Sequence, residues 1–206
     1  MAYAAWLSPS KLSGSGNDTI SVSALSNNTG RNVRTTNVTF KAANCADVVR
    51  TVNQAGKPEF VTLQSTAAVV KDGGTLTITG TSNSSKLTFT LGNGATLTLT
   101  LPANYTANSA QTANGAAISG DPGANAEYTF SITFTGIGEN TSISDKTAQV
   151  IVTDNAGNSA TCTVTQAAGD ATLSVAPASV ELAWNAYTEG TSASFTVTSN
   201  TSWTVE

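Results

Sequence analysis

Tyr128-Thr-Phe-Ser-Ile-Thr-Phe134 decides the fold class: every second residue is large and apolar, and the residues between are Thr or Ser. A period of two sends alternate side chains to opposite faces, the pattern of a strand with one face buried. Thr75-Leu-Thr-Ile-Thr79, Leu87-Thr-Phe-Thr-Leu91 and Thr96-Leu-Thr-Leu-Thr-Leu101 repeat it. Between such runs stand Ser13-Gly-Ser-Gly-Asn17, Asp72-Gly-Gly74, Gly92-Asn-Gly94 and Asp154-Asn-Ala-Gly-Asn158, residues that accept positive φ and close hairpins. No stretch combines an apolar stripe of period 3.6 with caps, so almost no helix is expected. Many short strands at this spacing predict an all-β chain of immunoglobulin-like sandwiches.

The composition agrees. In 206 residues there are 35 Thr, 23 Ser and 18 Asn, while only 11% are charged and 39% are hydrophobic. Polarity is carried by small neutral side chains, and the many β-branched residues argue against disorder. Nine Lys/Arg are spread singly against thirteen Asp/Glu, for a net charge of −4. No basic cluster follows a phosphate backbone, so no nucleic-acid partner is expected. No apolar run approaches the ~18 residues of a membrane span. The start Met1-Ala-Tyr-Ala-Ala-Trp6 lacks the basic and apolar regions of a secretory signal. Two expectations follow, an excised segment or a protein assembled in the cytoplasm. Cys45 and Cys162 fall in different modules, so no bridge is implied. With no His, they fall short of a zinc ligand set, and no metal or cofactor is expected.

The chain also repeats itself. Thr79-Gly-Thr-Ser-Asn-Ser-Ser85 returns as Thr196-Val-Thr-Ser-Asn-Thr-Ser202, and Val52-Asn-Gln-Ala-Gly56 as Val164-Thr-Gln-Ala-Ala168. These markers divide it into a back half-module (residues 1–56), a complete unit (57–169) with a long loop (102–126), and a front half-module (170–206). The stretch Trp6-Leu-Ser-Pro-Ser, with Ser13-Gly-Ser-Gly-Asn, Thr29-Gly-Arg31, Arg34-Thr-Thr36 and Val52-Asn-Gln-Ala-Gly56, resembles the second half of a BACON domain. Leu173-Ser-Val-Ala-Pro177 and Ser194-Phe-Thr-Val-Thr-Ser-Asn-Thr-Ser-Trp-Thr-Val205 resemble its first half. The middle unit departs from the pattern, with Lys86 where the family's Trp would stand. The resemblance implies an immunoglobulin-like sandwich of the kind found in gut bacterial surface proteins and in crAss-like phage structural proteins. It carries over no catalytic residue. It also puts Trp6 and Trp203 at the family's two recurrent Trp positions, where packing between sheets is favoured over ligand stacking.

Chemistry is sparse. Without His, triad catalysis lacks its usual base, and no carboxylate pair sits in a glycosidase motif, so no catalytic residue and no enzyme is expected. Asp72, Asp121, Glu139, Asp154 and Asp170 lie at Gly/Asn turns, where turn stabilisation is the favoured role. Asp154-Asn-Ala-Gly-Asn158 reads as a tight hairpin rather than a calcium loop. The candidate partner-binding residues are Trp184 and Tyr187, two rings ahead of the turn at Glu189-Gly190, and Tyr105 and Asn104 in the 102–126 loop. Packing against a neighbour is favoured over sugar stacking for the first pair. For the loop, partner packing and a plain excursion stay open.

The two half-modules together make about one small sandwich, and each alone leaves a sheet edge and an apolar face uncovered. The expected function is a non-catalytic structural protein of a phage virion: a capsid decoration, fibre or tail component. It would assemble by strand complementation with copies of itself or other virion proteins. Adhesion to host glycans is compatible with this. The alternative is a carbohydrate-binding or spacer module of a bacterial cell-surface protein.

Overall fold

The computed structural model describes residues 3–206; the first two residues of the Met1–Trp6 stretch lie outside it. Its regular secondary structure is almost wholly strand. In the N-terminal unit β1 (Leu7–Pro9) pairs antiparallel with β2 (Val22–Ala24), and β3 (Arg34–Phe40) with β4 (Val48–Gln54).

The central unit is a closed sandwich. It comprises β5 (Val61–Leu63), β6 (Thr66–Val69), β7 (Gly74–Ser82), β8 (Leu87–Leu91), β9 (Asn104–Ala107), β10 (Ala110–Ala113), β11 (Tyr128–Ile137), β12 (Lys146–Asp154) and β13 (Ser159–Gln166). One sheet runs β10-β9-β11-β7-β5 and the other β6-β13-β12-β8. The chain crosses between layers at once: β5 pairs antiparallel with β7 in the first sheet, and β6 pairs parallel with β13 in the second. This split first strand is an immunoglobulin-like arrangement.

Alternation explains the layers. Phe130, Ile132 and Phe134 of β11 and Ile78 of β7 face Phe89, Val150, Val152 and Val164 of the other sheet, all essentially buried. The Thr and Ser between them point outward and pair across strands, as in Thr77 with Thr133 (2.9 Å) and Thr62 with Thr81 (2.7 Å). Asp154 serves its turn: its Oδ1 accepts from the backbone N–H of Ala156 (3.0 Å) and Asn158 (2.8 Å). Cys162 is a buried core residue, and burial pushes its thiol pKa up; Cys45 is exposed.

The segment 102–126 corrects the expectation of a loop without structure. It folds as the β9–β10 hairpin, an extended return, and a short 3-10 turn at Pro122–Ala124. Asn114 then bonds both backbone groups of Phe89, accepting from its N–H (2.7 Å) and donating to its carbonyl (3.0 Å). The excursion thereby covers the β8 edge.

The C-terminal unit holds β14 (Leu173–Ala176) and β15 (Thr196–Ser199), paired antiparallel, with one helical turn, α1 (Ala186–Glu189), between them.

Candidate functional site

The units are joined at two junctions, each centred on a pair of asparagines. At the first, the Asn28 amide donates to the carbonyls of Asn32 (2.7 Å) and Ala55 (3.2 Å). Asn83 accepts from the Phe60 N–H (3.0 Å) and donates to the carbonyls of Thr29 (3.3 Å), Lys57 (3.1 Å) and Pro58 (3.2 Å). At the second, a shift of 112 residues carries Asn28 to Asn140, which donates to Ser144 (2.9 Å) and Ala167 (2.9 Å). A shift of 117 carries Asn83 to Asn200, which accepts from the Thr172 N–H (2.8 Å) and donates to Thr141 (3.1 Å) and Asp170 (2.8 Å). The neighbouring serine repeats as well: Ser82 donates to Phe60, and Ser199 to Thr172.

Strand registers obey the same shifts. Val61 pairs Ser82 as Leu173 pairs Ser199, and Val150 pairs Cys162 as Val38 pairs Arg50. Hence β14 and β15 correspond to β5 and β7, while β3 and β4 correspond to β12 and β13. The echo in the sequence is a repeated module junction.

The first junction carries an additional clamp from the 102–126 excursion. Arg31 pairs with Asp121 at 2.6 Å, and the N–H groups of Arg31 and Asn32 donate to Gly123 and Ala124. The Asp121 carboxylate raises the Arg31 pKa above its ordinary value. At the second junction Lys71 pairs with Asp170, which raises the pKa of Lys71.

Both outer units leave apolar surface open. In the N-terminal unit a groove of about 640 Å³ is lined by Pro9, Leu12, Ile20, Val38 and Phe40 among others. Phe40 is 39% exposed, where the corresponding Val152 is fully buried. In the C-terminal unit Phe195 is 52% exposed and its counterpart Ile78 fully buried; Leu173, Val175 and Val205 are exposed too.

The Trp positions need correction. Trp203 is half exposed, and Trp6 is half-buried beneath the Arg34 guanidinium, 4.6 Å from its ring centroid. Neither fills a space between sheets, because the described strands of their units form two-stranded sheets that do not close over the rings.

The structure brings the four candidate residues to three different places. Tyr105 is 2% exposed and packs on Phe89 (5.0 Å between ring centroids), so it is a core residue and not a contact for a partner. Its neighbour Asn104 is exposed on β9, opposite Ala113. Trp184 and Tyr187 are 98% and 100% exposed, before and within α1. Asn185 bonds Glu189 across that turn, and Gly190 ends it in the left-handed conformation, φ 66°. The sequence reading missed Asn28, Asn83, Asn140 and Asn200 as a set. Their signal was the Ser-Asn pair shared by the two echoed segments, Ser82-Asn83 and Ser199-Asn200.

Among the described residues no group of three His, Cys, Asp or Glu could hold a metal ion, and no helix is long and apolar enough to cross a membrane. No curated protein matches the chain. A family model described as "BACON: Putative binding domain, N-terminal" matches residues 1–55, the segment that holds β1–β4 and the open groove. Over residues 1–55 the N-terminal unit is thus similar to the BACON family of binding domains.

Proposed function

We propose that the chain is a non-catalytic assembly module that binds proteins through sheet edges and apolar faces. One observation carries this reading: a closed sandwich holds at either end a unit of two-stranded sheets with open edges and exposed apolar side chains. Such surfaces recruit strands, and contacts of this kind between different faces build rings, lattices and filaments. The finer reading is a structural component of a phage virion, such as a capsid decoration, fibre or tail protein. What supports it is the resemblance of the chain to BACON domains, which occur in crAss-like phage structural proteins as well as in bacterial surface proteins. Mass spectrometry of purified particles tests it: the chain should be recovered at a fixed copy number per particle, and its loss on washing would overturn the virion reading.

The full exposure of Trp184 and Tyr187 favours a second reading, glycan binding by ring stacking on a surface protein. On a glycan array, binding that vanishes in both Trp184→Ala and Tyr187→Ala would support it.

A further inference from the structure

We infer that the two open units are complementary halves of one sandwich, and that the C-terminal unit of one copy docks into the N-terminal unit of a second copy. This rests on the assembly reading above and names its partner.

The central sandwich supplies the template. There β7 pairs with β11, β6 lies parallel to β13, and β8 pairs with β12. The 112-residue shift that aligns the junctions places β2 on the end of β11, β3 on β12 and β4 on β13. The C-terminal unit supplies part of what the N-terminal unit lacks: β14 in the place of β5, β15 in the place of the end of β7, and residues 203–206 in the place of residues 86–89 at the start of β8. Docking would set residues 191–193, just ahead of β15, against β2, and residues 203–206 beside the end of β3. Phe195 would then cover Phe40 and the groove.

Charge matches the two surfaces. The C-terminal unit, residues 170–206, contains Asp170, Glu181, Glu189 and Glu206 and no Lys or Arg. The N-terminal unit contains Lys11, Arg31, Arg34, Lys41 and Arg50 against only Asp18 and Asp47. Arg50 stands where the central sandwich has the buried Cys162, so it faces the layer to be docked. That layer brings only negative charge. Opposite net charges steer the units together and disfavour pairing of like with like, so growth runs head to tail.

The test is mass in solution by sedimentation, with Phe195→Asp in the donor face and Phe40→Asp in the acceptor face. The wild-type chain should show mass rising with concentration across the micromolar range, weakened about tenfold between roughly 0.05 M and 0.5 M salt. Each variant alone should remain a monomer. An equimolar mixture of the two should stop at a dimer, since one intact donor and one intact acceptor remain. If either Asp variant loses its β signal in circular dichroism, Phe195→Ala and Phe40→Ala replace the pair. A wild-type monomer at all concentrations, variants that still polymerise, or a mixture that stays monomeric would each overturn the inference. Recovery of the chain from particles despite such a result would leave the virion reading standing, bound through another surface.

Discussion

Replacing Asn83 by Ala tests the junction directly, because Asn200 provides a matched control in the same chain. Asn83 is fully buried and its amide serves four backbone groups: the Phe60 N–H and the carbonyls of Thr29, Lys57 and Pro58. The Ala variant strands a donor and at least two acceptors. A buried polar group left unpaired costs about 1–3 kcal/mol. Carbonyls at a module boundary regain some water, so the lower end applies, and the expected loss is about 3–4 kcal/mol. Asn200 makes the corresponding bonds but is itself exposed, so water replaces them and the expected loss is about 0.5–1 kcal/mol. Urea unfolding followed by far-ultraviolet circular dichroism separates the two. The Asn83→Ala midpoint should fall by roughly 1–2 M, and that of Asn200→Ala by a few tenths. Equal losses, or an Asn83→Ala loss under about 1 kcal/mol, would refute the claim that burial makes the first junction expensive to break.

Other consequences are open to measurement. A Cβ on Gly30 would lie 2.2 Å from the Asn125 carbonyl carbon, and one on Gly123 2.0 Å from the Asn83 carbonyl oxygen. Either Gly→Ala change should cost about 1–3 kcal/mol, and limited proteolysis should cut between the N-terminal and central units first. With a thiol reagent, Cys45 should react at once and Cys162 only on unfolding, since burial both covers the Cys162 thiol and raises its pKa. Burial also raises the pKa of Tyr105 and Tyr128 in the folded chain, Tyr128 donating to the Ser84 carbonyl at 2.8 Å. Ionising either ring costs stability in the folded chain. Their contribution to stability is therefore complete below the unfolded tyrosine pKa of about 10 and lost as pH rises above it. A pH series of unfolding midpoints should decline above about pH 10, less steeply in Tyr128→Phe.

Much of this architecture was legible in the residues. Period-two runs such as Tyr128–Phe134 mark strands without ambiguity, because only a pleated chain puts Phe130, Ile132 and Phe134 on one face. The excursion 102–126 reads as a loop because most of its residues are Ala, Asn, Gly and Ser, with Tyr105 and Ile118 as isolated large side chains. Tyr105 and Ala107 do alternate with polar neighbours, yet Ala gives little contrast and the strands are only four residues long. Trp6 and Trp203 differ from expectation for another reason: a large aromatic side chain reports what it can fill, and the two-stranded sheets of these units do not close a layer over it.

The sequence by itself determined the strand class, the small-polar outer faces and the echo that announces a repeated module. It did so because alternation and local turn chemistry act between residues close along the chain. Only the tertiary structure decided that Tyr105 is core, that Trp184 and Tyr187 stand in solvent, and that Asn28 and Asn83 rebuild themselves as Asn140 and Asn200. Those outcomes depend on which backbone groups from distant segments meet unsatisfied, and that is set by the crossing of strands between sheets.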